Sequence, residues 1–225
     1  VLDSKLVQIV DLGDGPEVVP VPGANTRVEE IRGEIQLNDT FPLGKLELNY
    51  GLGAEISTIE QSGDAEAKRS FFYIKPHATL TYAANPQRQT RIHIAREVSQ
   101  LDFKDFVSAT IFEDANVLLG NPDLQPETTW IAEASEERRF GELGVVKLTA
   151  FHHWITDVED LLPLDVDVEA PGNIGDGRRW GIILDATLPL DSLGLPQSRL
   201  DVKARWQDST VVDPVAETDR VLSAE

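Results

Sequence analysis

The sequence contains no cysteine, which excludes a disulfide framework and any thiolate metal centre. It has no run of eighteen apolar residues, so no membrane-spanning helix is expected. The opening "VLDSKLVQIV" lacks a basic segment followed by an apolar stretch, so a secretory signal is expected to be absent or already removed. Positive charge is scarce: 20 Lys and Arg stand against 39 Asp and Glu, a net charge of −19. A phosphate backbone would be repelled, so nucleic acid is excluded as a partner. The strings GxxxxGK[ST], GxSxG and HExxH are all missing, which removes motif support for nucleotide, acyl-transfer or zinc-hydrolase chemistry.

What is present is a period of two. In "KLELNYGLGAEI" every even position is apolar, from Leu46 through Leu48, Tyr50, Leu52 and Ala54 to Ile56, while the odd positions are polar, charged or glycine. That is strand alternation, over a longer run than an ordinary strand of five or six residues. The same parity recurs in Phe72–Tyr82, Trp180–Leu190 and Leu200–Trp206, and the opposite parity in Ile31, Ile35 and Leu37. Residues 90–100, 130–140 and 143–155 are less regular but extended, and the first twelve residues hold one more strand of undetermined phase. Short turn-rich connections ("FPLGK", "AANPQRQ", "FGELG", "DSLGLPQS") alternate with long ones (57–70, 101–127 and about 156–177). This predicts an all-β, up-and-down antiparallel meander with one smooth rim and one looped rim.

Alternation alone fits a soluble sandwich as well as a membrane barrel. The aromatics favour the barrel. Trp130, Trp154, Trp180 and Trp206 fall on the apolar parity, each about twelve residues from a short turn, whereas Phe41, Tyr82 and Phe140 sit on it beside the short turns. Twelve tilted strand residues climb roughly 28 Å, the height of an outer-membrane apolar band with an aromatic girdle at either edge. The opposite face carries Lys45, Glu47, Glu55, Lys75, Arg91, Glu97, Lys147, Arg179, Asp185, Asp201, Lys203 and Arg205, a lining that requires water or a polar plug. Glu136 and Arg138 share the parity of Trp130 and Phe140, and are expected at the short-turn interface or at a bulge.

The stretch "GNPDLQPETTW", with Gly120, Asn121, Pro122, Asp123, Leu124, Pro126 and Glu127, closely resembles the GNPxLxPE motif of TonB-dependent receptors. "NIGDGRRWGI", with Asn173, Gly175 and Gly181, resembles a second motif of that family; Gly177 stands where alanine is usual and Ile183 where an acidic residue commonly follows. The resemblance covers roughly residues 28–212. It implies a 22-stranded barrel closed by an N-terminal plug, of which this chain would supply about eight or nine strands. Residues 1–225 are thus read as a partial C-terminal β-barrel domain, with plug and final strands outside it. In the first motif Gly120 is read as permitting positive φ, Asp123 as holding an Asx-type turn and the prolines as stiffening the bend.

The resemblance further implies an importer in the Gram-negative outer membrane. Its partners would be the TonB complex (through the plug), outer-membrane lipid and a small-molecule cargo such as a ferric siderophore or other iron chelate. It implies no cofactor, no resident metal and no catalytic residue. Two alternatives remain open: a soluble β-sandwich ligand-binding module, and an outer-membrane barrel enzyme. Candidate chemistry outside the motifs is sparse. A three-residue turn at 84–86 would set His77 opposite His93 as a luminal pair. The run Asp157, Glu159, Asp160, Asp165, Asp167 and Glu169 reads as a solvated acidic loop rather than a calcium site. Arg178, Arg179 and Arg91 are read as paired lining charges rather than an anion site.

Overall fold

The computed structural model describes residues 2–5, 8–11, 16–19, 25–63, 66–106, 109–111, 116–118, 120–165, 168–191, 194–195 and 197–223. In chain order the strands are β1 (Leu2–Lys5), β2 (Gln8–Asp11), β3 (Pro16–Val19), β4 (Asn25–Leu43), β5 (Leu46–Gly63), β6 (Ala67–Asn85), β7 (Arg88–Val98), β8 (Ala109–Ile111), β9 (Asn116–Leu118), β10 (Thr128–Phe140), β11 (Gly144–Thr156), β12 (Glu159–Asp165), β13 (Val168–Asn173), β14 (Gly177–Pro189), β15 (Arg199–Val212) and β16 (Asp219–Arg220). Ten form one open antiparallel sheet in the order β1-β4-β5-β6-β7-β10-β11-β14-β15-β16, the meander expected from the alternation. Residues 2–11 hold β1 and β2, so the unphased first strand resolves into two short pieces.

The strands outrun the expected ones where the parity inverts. On β4, Ile31 points outward and is 81% exposed, whereas Val28, on the other face, is fully buried. On β5, Ile56 faces outward at 59% exposure, and three residues later Ile59 is buried on the inward face at 4%. Of the segment 57–70, expected as a long loop, residues 57–63 instead continue β5 and residues 67–70 begin β6, paired from Ser57↔Phe71 to Gln61↔Ala67. Its outward side is polar, with Thr58 bonded to Ser70 at 3.0 Å and Glu60 to Lys68 at 3.0 Å. The physical reason is a change of surroundings: low on the wall the apolar residues face out, and above the inversion they face in.

The inward apolar residues form two cores at the looped rim. Val28 and Ile59 pack with Leu101, Phe106 and Leu124, and Ile155, Val158, Ile174, Val211 and Leu222 form the second cluster. Segments expected as loops carry structure of their own. A 3-10 turn spans Phe103–Phe106, and β12-β13-β9-β8 form a separate four-stranded sheet. The run expected to be a solvated acidic loop is thus largely the β12–β13 hairpin; Asp167 lies outside the described residues. Below the cores the inward face of β4–β6 is ionic and self-paired. Arg32 bridges Glu30 at 3.0 Å and Glu55 at 3.4 Å, and Lys75 bridges Glu55 at 2.9 Å and Glu34 at 2.8 Å. Glu55 is buried, and this pairing is what makes its burial tolerable.

Two expectations are corrected by register. His77 lies opposite Ala95 and His93 opposite Thr79, because the hairpin turns tightly at Pro86–Gln87 and a bulge falls between Ala83 and Asn85. The two imidazoles therefore do not face each other; His93 Nδ1 instead lies 2.8 Å from Thr79 Oγ1. Glu136 and Arg138 do not mark a bulge, since β10 pairs continuously with β11 from Thr128 to Phe140. They sit at the short-turn end, where Glu136 meets Arg88, Arg138 and Thr90.

The inversion predicts opposite outcomes for one substitution at two heights. Ile35→Arg, outward and mid-wall, should cost about 2–4 kcal/mol of stability in lipid vesicles, whereas Glu60→Arg, outward above the inversion, should change it by less than about 1 kcal/mol. Reversible urea unfolding of the full-length protein in vesicles checks this; equal costs at both sites would contradict the account.

Candidate functional site

The looped rim gathers both motif segments. In the first, Leu124 is fully buried in the core built on Val28 and Ile59, and Pro126 is buried beside it. These two residues pin the bend to the wall. Asn121 does the turning: its Oδ1 accepts a hydrogen bond from the Asp123 backbone N–H at 2.9 Å, its Nδ2 donates to the Pro171 carbonyl at 2.9 Å, and its own N–H donates to the Asp105 carbonyl at 2.7 Å. The Asx turn is thus held by Asn121 and not by Asp123, whose carboxylate instead receives Arg69 of β6 at 2.9 Å.

The second segment locks onto the first through one side chain. Asn173 accepts from the Gln125 N–H at 2.9 Å and donates to the Gln125 carbonyl at 2.9 Å and the Asp157 carbonyl at 2.8 Å. Both ends of that amide are therefore engaged, its oxygen and one N–H joining the two motifs at Gln125 and the other N–H tying Asp157. Gly175, two residues on, has φ +107°, a conformation that favours glycine over any side-chain-bearing residue. Gly181 is needed for space: a Cβ there would lie 2.8 Å from the Phe151 ring. Gly177 is crowded by Val158 and Leu222, consistent with a residue that packs in the second core.

Between the 3-10 turn and the β12–β13 hairpin lies a cleft of about 360 Å³, lined by Ser99, Asp102, Asp105, Glu127, Glu159 and Asp160 among others. No local pattern announces it, because its carboxylates come from three separate segments. Burial pushes the Glu159 carboxyl up to about 7, reinforced by its hydrogen bond with Asp105 and the charges of Asp105, Glu127 and Asp102. Asp105 is also raised, first by burial, with the bond to Glu159 acting the other way. A proton on Glu159 would let the two carboxyls hydrogen-bond between neighbouring loops. Opposite them, Arg220 ties Asp160 at 2.7 Å to Asp213 at 2.9 Å, anchoring the hairpin to the end of β15. Among the described residues no group of three or more His, Asp or Glu is arranged to hold a metal ion.

The aromatics lie on the outward face. Trp130, Trp154, Trp206, Phe41, Tyr82 and Phe140 are exposed, Trp130 lies directly opposite Trp154, and Trp180 is half-buried beside His152 at 6.2 Å. Of the arginine pair, parity turns Arg178 outward with Trp180's face and Arg179 inward.

The family described as "TonB dependent receptor-like, beta-barrel" matches residues 13–221. No curated protein matches the sequence. Among solved structures, the FrpB iron transporter of Neisseria meningitidis is 11% identical with a TM-score of 0.58, covering 81% of this chain and 26% of its own. The ferric preacinetobactin receptor BauA of Acinetobacter baumannii is 16% identical with a TM-score of 0.58, covering 89% and 29%. The copper transporter OprC is 11% identical with a TM-score of 0.62, covering 89% and 31%. The chain spans less than a third of the length of each of these three, and the likeness is one of fold. These proteins are transporters and receptors by description.

Both carboxyls hold protons more tightly in the folded loops than in an unfolded chain, so their contribution to loop docking is greatest below about pH 4.5 and is lost as pH rises through about 7. With a fluorophore at Leu164, docking of the β12–β13 hairpin in the full-length protein should weaken by about ten-fold from pH 5 to pH 8, allowing for solvent screening. Glu159→Gln should flatten that profile, and an unchanged profile would contradict the shared proton. Asn173→Ala should loosen both motifs at once, at a cost of about 2–3 kcal/mol in hairpin docking, read by the same probe.

Proposed function

The chain belongs to the TonB-dependent receptor β-barrel family, and from that premise we propose that it forms part of the wall and outer loops of an energised importer in the Gram-negative outer membrane. The observation that carries the reading is the inversion of apolar parity. Exposed outward residues such as Ile31, Ile35, Leu37 and Phe41 on β4 give way to the inward cores at Val28 and Leu124. A soluble sandwich has no reason to expose a whole apolar face along its strands and then bury the opposite face above it. In this reading the outward Trp, Tyr and Phe residues are the two aromatic belts, touching outer-membrane lipid at either edge of its apolar layer. Residues 1–225 are barrel domain throughout.

The motif bend acts as a rigid return from the outer loops into the wall, without cargo contact. Cargo is a scarce nutrient of the ferric-siderophore kind, a class consistent with solved structures described as an iron transporter and a ferric preacinetobactin receptor. Movement of cargo needs the plug carried elsewhere in the full-length protein and TonB acting on it from the inner membrane. No covalent chemistry is required of the chain. Labelled ferric siderophores should accumulate in cells making the full-length protein only when TonB is present and the inner membrane is energised. Equal accumulation without TonB would refute the importer. Replacing residues 120–127 by a flexible linker should lower uptake at least about ten-fold through loss of the Leu124 anchor.

A further inference from the structure

The inward face does not carry the same chemistry throughout. On β4–β6 its charges neutralise one another in the Glu30–Arg32–Glu55–Lys75–Glu34 chain. On β11, β14 and β15, Arg179 forms no ion pair or hydrogen bond among the described residues, and Arg205 forms none either. Unpaired guanidinium groups stand out in a chain of net charge −19, where carboxylates are plentiful. The arginines read as paired lining charges, Arg91, Arg178 and Arg179, form no ion pair among the described residues, and the pairing on β4–β6 involves other side chains.

Arg205 is held against an aromatic ring, and Arg179 stands nearby on the same face. Phe151 of β11 lies opposite Gly181 of β14, and the missing side chain at Gly181 makes room for the ring. Arg205 of β15 pairs in register with Ile183, one inward row lower, and reaches up so that its guanidinium sits 5.0 Å from the Phe151 ring centre. The His153 ring centre lies 5.0 Å from that of Phe151, and Arg179 stands directly opposite His153 across the strand pair. His153 Nε2 is buried and has no hydrogen-bond partner. Glu133 of β10, opposite Phe151, is a carboxylate within electrostatic reach of His153, alongside Arg179 and Arg205.

We propose that His153, Arg179 and Arg205, backed by Phe151, form an anion site on the inner wall that takes the carboxylates of a small-molecule cargo bearing two or more of them. An aromatic ring behind a guanidinium fixes its plane while leaving its forked donors free for a carboxylate. Two guanidinium forks on adjacent strands, one of them backed by the ring, suit a ligand with more than one carboxylate, and Glu133 lowers the net positive charge to a level that permits release. The site lies below the rim, between the outer loops and the lower wall, where cargo would pass. This deepens the importer reading and rests on it.

The test uses the full-length protein in detergent, with citrate as probe and its uncharged triethyl ester as control, followed by calorimetry. Citrate should bind with submillimolar affinity and the ester should not. The double variant Arg179→Gln, Arg205→Gln should weaken citrate binding by at least about ten-fold per arginine. Glu133→Gln should tighten it several-fold, a gain that misfolding cannot imitate. No citrate binding by the unaltered protein, or equal binding by the double variant, would overturn the site. The two readings separate cleanly. Citrate binding through the arginines without TonB-dependent uptake of any cargo removes the importer and leaves the site, whereas TonB-dependent uptake of neutral cargo, indifferent to both arginines, does the reverse.

Discussion

The structure depends on a change of solvent partway along each strand. An apolar side chain is stabilised by leaving water, by roughly 25 cal/mol for each Å² removed, and a strand can only offer alternate residues to each face. Ile31 and Val28 on β4, or Ile56 and Ile59 on β5, therefore cannot all be out of water in one homogeneous surrounding, because the members of each pair point to opposite faces. A lipid layer outside the lower wall and a packed loop layer inside the upper wall resolve this. Every other feature of the rim follows: the loops must fold inward to cover Val28, Ile59, Ile155 and Val211, and the outward side there is free to be polar.

Covering those residues is what the two motif segments do. Leu124 plugs one core and Ile174 the other, and Asn173 joins them by spending both ends of its amide on Gln125 and Asp157. Asn121 adds a third tie to Pro171. The bend is consequently stiff because of what it is fastened to, more than because of its own backbone. The carboxyl pair Asp105–Glu159 lies at the seam between the two fastened regions, where a shared proton can hold neighbouring loops together without a cation.

Sequence alone revealed the meander, the inward and outward parity and the motif positions, because a period of two and proline-rich bends are local signals. It missed residues 57–63 and 67–70 as strand because the parity inverts there, and a polar run such as Ser57–Ser70 resembles a loop when its single buried isoleucine is read on the wrong face. It placed His77 opposite His93 because the bulge at Ala83–Asn85 is invisible to a count of turn residues. The roles of Asn121 and Asn173 were hidden for another reason: an amide's partners lie some fifty residues away in sequence. The stack of Arg205 on Phe151 over Gly181 likewise needs three strands in register before it exists.

Nitroxide labels placed singly along Glu30–Leu37 and Leu52–Gln61 of the full-length protein in lipid vesicles test the inversion most directly, by comparing collision with dissolved oxygen, which concentrates in lipid, against a water-soluble nickel complex. The account predicts oxygen access at 35, 37, 52, 54 and 56, and its disappearance from both faces beyond residue 58, where the outward labels meet the nickel complex instead. Nickel access at Ile35 and Leu37 equal to that at Glu60 would mean that water, not acyl chains, bathes the apolar face, and the account would fail.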